Sequence, residues 1–221
     1  MALGARLCVF GLVLLGCAPA FPSFSGGRTV PRGRSDLALG AAVRVPVGDL
    51  ADAPMLTDTA PGGALPVAFV RHGLGPDADL GLEVAGSGAR GMLRGQLREG
   101  LVRFIGGFAP HVGVAHEQGD LLRVGGTVPL TLSIDAFSLY EVWVGLRVGV
   151  EHLVGEVGGN AVSMTGLRTG GVVGLGVGFR RLSLLVELGI DHELWSGDVS
   201  DISIATNGVV LTPAFAFRIR L

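Results

Sequence analysis

Beyond residue 20 the chain has no uninterrupted apolar run approaching the roughly 20 residues a membrane-spanning helix needs. Yet 48% of its 221 residues are hydrophobic and its mean hydropathy is +0.55, so the apolar content must be spread in another pattern. Cysteine is nearly missing: Cys8 lies in the apolar amino terminus, which leaves a processed chain with Cys17 at most and no internal disulfide. Charge is scarce as well. Charged residues make up 16% and the net charge is -2, which removes any electrostatic reason to expect nucleic acid. Aromatic residues account for only 6%, while glycine is abundant, with 38 residues. The length suits one domain or one closed barrel.

The amino terminus carries one positive charge in residues 1–6 and an apolar run over 7–15. That run has the length of a secretory signal and is too short to span. Two processing sites compete. Leu14-Leu15-Gly16-Cys17 resembles the lipobox of bacterial lipoproteins and would leave Cys17 as an acylated amino terminus; Ala18-Pro19-Ala20 fits an ordinary small-residue cleavage site. The lipobox is taken as the expectation, giving a signal peptide over 1–16, with Cys17 as the lipidation site. Residues 21–35, rich in Gly, Pro, Ser and Arg, extend this to a flexible linker over 17–35. The body follows over 36–221.

From Asp36 the hydrophobic period is two, which is the mark of strands. Leu37, Leu39, Ala41, Val43 and Val45 alternate with small or charged residues. The clearest run sets Tyr140, Val142, Val144, Leu146, Val148 and Val150 against Glu141, Trp143, Gly145, Arg147, Gly149 and Glu151. Counting such runs predicts about ten strands, near 37–46, 64–72, 78–85, 89–98, 101–115, 124–135, 139–151, 166–179, 182–194 and 208–221, with eight or twelve as alternatives. Short connections at 73–77, 99–100, 136–138 and 180–181 alternate with longer ones at 47–63, 116–123, 152–165 and 195–207; only 86–88 breaks the rule.

Alternation alone does not say which face looks inward, and volume decides it. Ten strands each offering several Leu, Val, Ile or Phe would overfill a modest barrel, whereas a lipid-facing band accepts them all. In hydrocarbon every backbone polar group must be paired, so the sheet has to close. The predicted fold is therefore all-β, an antiparallel up-and-down transmembrane barrel. A terminal strand over 213–221 with Phe215, Phe217, Ile219 and Leu221 on one face, and the strand-turn-strand over 71–82, resemble the small outer-membrane β-barrel proteins of Gram-negative bacteria. That resemblance implies an outer-membrane location with a periplasmic amino terminus. It also implies contact with outer-membrane lipids, and insertion by the barrel-assembly machinery, with those four terminal residues as the assembly signal. Leu221 stands where that family usually has an aromatic residue.

The inward face then collects ions: Glu83, Asp135, Glu141, Glu151 and Glu187 against Arg44, Arg94, Arg98, Arg147, Arg168 and Arg218. Charges in a confined interior need partners, so the two signs should interleave. They form either a salt-bridged filling or the selectivity ring of a small pore. Asp191, His192, Glu193 and Trp195, with Asp198 and Asp201 behind them, fall at an external strand end. Omptin proteases, also ten-stranded, combine Asp-His and Asp-Asp pairs at that rim, but neither Asp49 with Asp52 nor Glu117 with Asp120 supplies a convincing second pair. A divalent-cation site on Asp191, Glu193, Asp198 and Asp201 and a plain solvated rim are the other readings, with Trp195 as an interfacial anchor. Gly86, Gly88 and Gly91 form a literal G-x-G-x-x-G, but no acid follows for a ribose, and a tight hairpin explains it better. His72, His111, His116 and His152 are isolated, which gives no zinc pattern.

These readings predict a non-enzymatic outer-membrane barrel with no cofactor and a narrow salt-bridged lumen, acting structurally or through external loops 47–63, 152–165 and 195–207 toward an unidentified partner. A small-solute channel, a rim hydrolase of omptin type and a soluble lipocalin-like ligand-binding barrel are the alternatives.

Overall fold

In the computed structural model, described for residues 21–24, 26, 28–52, 64–99, 101–115, 120–136, 139–179, 181–200 and 202–221, nearly every alternating segment is a strand. In chain order these are β1 (Ser35–Val43), β2 (Val45–Val47), a 3-10 turn (Gly48–Asp52), β3 (Ala64–Gly73), β4 (Ala78–Ala85), β5 (Gly88–Glu99), β6 (Val102–Ala115), β7 (Leu121–Ala136), β8 (Tyr140–Val157), β9 (Asn160–Gly178), β10 (Leu182–Val199) and β11 (Ile202–Arg220). β1 pairs antiparallel with β3, each strand from β3 onward pairs antiparallel with the next, and β1 closes the ring on β11. Val47 faces Val209 in the same register that sets Ala42 against Ala214, so β1 and β2 are one strand interrupted at Arg44. Eleven segments thus make a closed ten-stranded barrel. Closure leaves no edge whose N-H and C=O groups would sit unpaired in hydrocarbon.

The assignment of faces is settled by exposure. Leu39, Leu146 and Phe104 are 60%, 69% and 52% exposed, whereas Asp79, Glu83, Arg94 and Arg147 are buried. An apolar exterior around an ionic interior excludes the soluble lipocalin-like barrel, whose oil would face inward.

Two predicted loops are not loops. β8 and β9 pair out to Val157 and Asn160, joined by Gly158 and Gly159, whose positive φ of 57° and 83° fits a tight two-residue hairpin turn. β10 and β11 likewise pair to Val199 and Ile202. Apart from their turns, the described residues of segments 152–165 and 195–207 are therefore continuous ladder. The outward face turns polar there, at His152, Thr165 and Ser196, which ended the apolar alternation although the strands continue. The third loop expected to carry recognition, 47–63, holds β2's last residue and the 3-10 turn, and residues 53–63 lie outside the described part.

The wall is uneven. β4 has 8 residues, β8 and β10 have 18, and β9 and β11 have 19. At roughly 3.3 Å per residue and a tilt of about 40°, an 18-residue strand rises about 45 Å, well past an apolar band about 25 Å tall. β8 to β11 thus form a four-stranded fin that rises past the height of such a band.

Candidate functional site: the sealed lumen

The interior is filled in four layers: ion pairs at the lower end, a plug, a second ionic knot and an apolar lid. The lowest lies at the end bearing the carboxy terminus and the short turns. There Arg220 donates to both oxygens of Asp36 at 2.7 Å, and Arg218 donates to Glu141 at 2.9 and 3.1 Å. Arg94 donates to Asp79 at 2.9 and 2.5 Å, and Arg103 lies 3.3 Å from Asp135. All 17 basic residues of the chain other than histidine are arginine. The planar guanidinium matches a carboxylate with two parallel bonds, which is the geometry a buried pair needs.

The middle tier is built around residues 21–31, the segment expected to be a flexible linker. At its described residues it is instead a packed plug: Phe24 is 0% exposed, Val30 1%, Ser23 4% and Phe21 6%. It has no strand partner, so barrel side chains satisfy its backbone. Arg71 donates to the carbonyls of Phe24 (2.6 Å) and Ser23 (2.9 Å), and Arg90 to those of Phe21 (3.3 Å) and Pro22. Glu187 accepts the Ser23 N-H at 2.5 Å, and Asp79 accepts that of Val30 at 2.8 Å. Phe24 packs on Phe69 with ring centroids 5.8 Å apart, and Phe21 on His111 at 5.6 Å. Composition suggested disorder because glycine, proline and serine favour it; the two phenylalanines and Val30 were the signal to the contrary.

Above the plug lies the densest ionic knot. Glu193 accepts from Arg44 (3.1 and 2.7 Å), Arg168 (2.8 Å) and the indole N-H of Trp195 (3.1 Å). Glu151 takes Arg123 at 3.0 Å, His111 at 3.3 Å and Arg168 at 3.6 Å. Asp191 is held by both Arg147 Nε, at 2.7 Å, and Arg147 Nη2. Every carboxylate in this knot is satisfied by more than one donor, the condition under which a buried charge is tolerated.

The mouth is closed by oil. Leu50 from the 3-10 turn meets Leu121, Leu153, Val162, Met164, Trp195 and Val210 in a buried cluster inside the fin. Trp195 lies flat over Gly166, its register partner on β9, where an added Cβ would come within 2.8 Å of the indole. Trp143 lies in the same way over Gly174. Two β9 glycines thus make room for the two indoles. Among the cavities in the ionic knot, the one lined by His111, Glu151, Arg168, Glu193 and Trp195 encloses about 10 Å³, the room of a single water.

The structure brings together most of the expected lumen ions. Arg44, Glu83, Arg94, Asp135, Glu141, Arg147, Glu151, Arg168, Glu187 and Arg218 all face inward; Arg98 keeps that parity but emerges exposed at the lower end. Asp36, Arg71, Asp79, Arg90, Arg103 and Arg123 join them. Strand parity with Glu83 and Arg94 would have found Asp79 and Arg90. The rim set is corrected: Asp191, Glu193 and Trp195 are buried in the lumen, while His192 and Asp198 are exposed on the outer wall. Asp198 accepts from Ser203 at 2.8 Å. Because Asp191 and His192 lie on opposite faces of one strand they form no catalytic pair, and among the described residues the acids do not converge on a cation. Trp195 is not an interfacial anchor. Cys17 and Asp201 lie outside the described residues.

An edgeless up-and-down barrel, oily outside and ion-paired inside, has the architecture of outer-membrane barrels. The fold is that of an outer-membrane protein. Similar solved structures include the crystal structure of Neisserial surface protein A (13% identity, TM-score 0.42, 85% of this chain and 99% of that one). Others are the solid-state NMR structure of outer membrane protein AlkL in DMPC lipid bilayers (10%, 0.36, 92% and 96%) and the crystal structure of Ail, the attachment invasion locus protein of Yersinia pestis (14%, 0.24, 85% and 99%). No family model and no curated protein matches the chain.

Proposed function

We propose that this chain is an exported, non-conducting outer-membrane barrel that holds a rigid β-fin outside the cell, with a structural or surface-interaction role. The observation that carries the reading is the lumen: ion pairs, an internal plug and an apolar lid occupy successive heights, and the cavity in the upper ionic knot has room for about one water. A polar path across the membrane needs a continuous wet lumen, and this one is blocked three times over. The outward edge of the fin, with Glu156, Ser163, Thr165, Ser196, Asp198 and Ser203 exposed, is the surface offered to a partner. Phe215, Phe217 and Ile219 are about half exposed on the terminal strand, which fits their proposed use as an assembly signal.

The purified protein in planar bilayers is expected to show no steady current, and to remain in the outer-membrane fraction after a carbonate wash. Deleting residues 21–30 while keeping heat-modifiable folding should open the middle tier alone, so no steady current is expected while the ion pairs and the apolar lid remain. Steady current through the intact chain defeats the proposal and supports the small-solute channel.

A further inference from the structure

We infer that Phe21 is the first residue of the mature chain, and that its α-ammonium is a buried group of the lumen paired with Glu83. The inference rests on the export reading above.

Phe21 sits deep inside the barrel. Its ring meets His111, nine residues up β6 from Val102 at the lower end. Nine residues of tilted strand rise about 20 Å along the barrel axis. The four residues from Cys17 to Phe21 reach at most about 14 Å even fully extended. A lipid on Cys17 therefore falls short of the lower leaflet, and the return route is filled by the plug itself. The lid of Leu50, Leu121 and Trp195 closes the way upward. Placing the end of the chain at Phe21 removes the conflict, and Ala18-Pro19-Ala20 stands directly before it.

The second observation is an orphaned charge. Glu83 is 2% exposed; Arg90 binds its Oε2, and Oε1 is buried with no hydrogen-bond partner among the described residues. The same Arg90 guanidinium holds the Phe21 and Pro22 carbonyls, so Glu83 stands beside the first residue of the plug. A buried carboxylate oxygen without a donor is costly, and an ammonium released at Phe21 supplies one. The covalent step is hydrolysis by an export peptidase. Water adds across the Ala20-Phe21 bond; the hydroxyl remains on the Ala20 carbonyl as a carboxylate, and the amine leaves on Phe21 and takes up a proton.

The chain has no lysine, so a mature protein has one primary amine, at its amino terminus. Protein extracted from outer membranes is sequenced from that end and weighed intact, with a sequence beginning Phe-Pro-Ser-Phe and no acyl mass expected. An acylated Cys17 or an uncut signal overturns the inference. An amine-reactive dye should label the folded protein at least about tenfold more slowly than the heat-denatured one, because the reagent must wait for the plug to open. Equal rates overturn it. Glu83→Gln should quicken labelling of the folded form; if that variant does not fold, the comparison of folded and denatured wild type still decides. The cell fraction is read in the same samples. A chain located elsewhere but beginning at Phe21 sinks the outer-membrane reading alone; one in the outer membrane beginning at Cys17 sinks this inference alone.

Discussion

Below the row His152, Thr165, Ser196 and Ala205, which pair across β8 to β11, the wall carries oil outside and ions inside; above it the same strands carry oil inside and, Val154 apart, small or polar side chains outside. Val150 and Leu167 are about half exposed just below that line, while Leu153 and Met164 are fully buried just above it. The backbone ladder passes through without a break. One strand geometry therefore serves two solvents, and the phase of its alternation is what reports the change. Lipid accepts leucine outside and forces polar groups inward, whereas water reverses the preference.

The boundary can be broken from either side. The largest effect is expected at Glu193, where Ala strands Arg44 in the interior and leaves Arg168 with Glu151 alone; uncompensated buried charge costs about 3–5 kcal/mol. A lower denaturant midpoint in unfolding from detergent or lipid measures it. Next comes Leu146→Arg on the lipid face of β8, which puts a cation near mid-membrane at about 2–4 kcal/mol. Thr165→Arg, on the same outer face but above the line, should shift stability by no more than about 0.5 kcal/mol, as for an ordinary surface change. Equal effects at the two sites in one folding assay would erase the proposed membrane boundary. Between these lies Gly166→Ala, whose methyl meets the Trp195 indole and should cost about 1–3 kcal/mol by overpacking. Its signature is local: quenching and emission of Trp195 change, while the lower tiers keep their heat-modifiable folding.

Residue parity predicted most of the lumen. Glu141, Arg147 and Glu187 could be assigned inward because each opposes an unbroken apolar face, and period two leaves no third option. His192 and Glu193 were misplaced for the converse reason: with no apolar face left to follow, the strand seemed to end, and a buried knot was read as a rim. The plug was out of reach of any periodic argument. Its segment has no regular ladder, and it is ordered by arginines more than 40 residues away in sequence.

By itself, the sequence determined an up-and-down barrel of about ten strands and that its oily face looks outward, because alternation and volume are properties of each strand taken singly. Only the tertiary structure decided where the inner face turns from ions to oil, which arginine meets which carboxylate, and that a linker-like segment fills the bore. Those outcomes depend on residues brought together by barrel closure, and closure is a relation among all the strands at once.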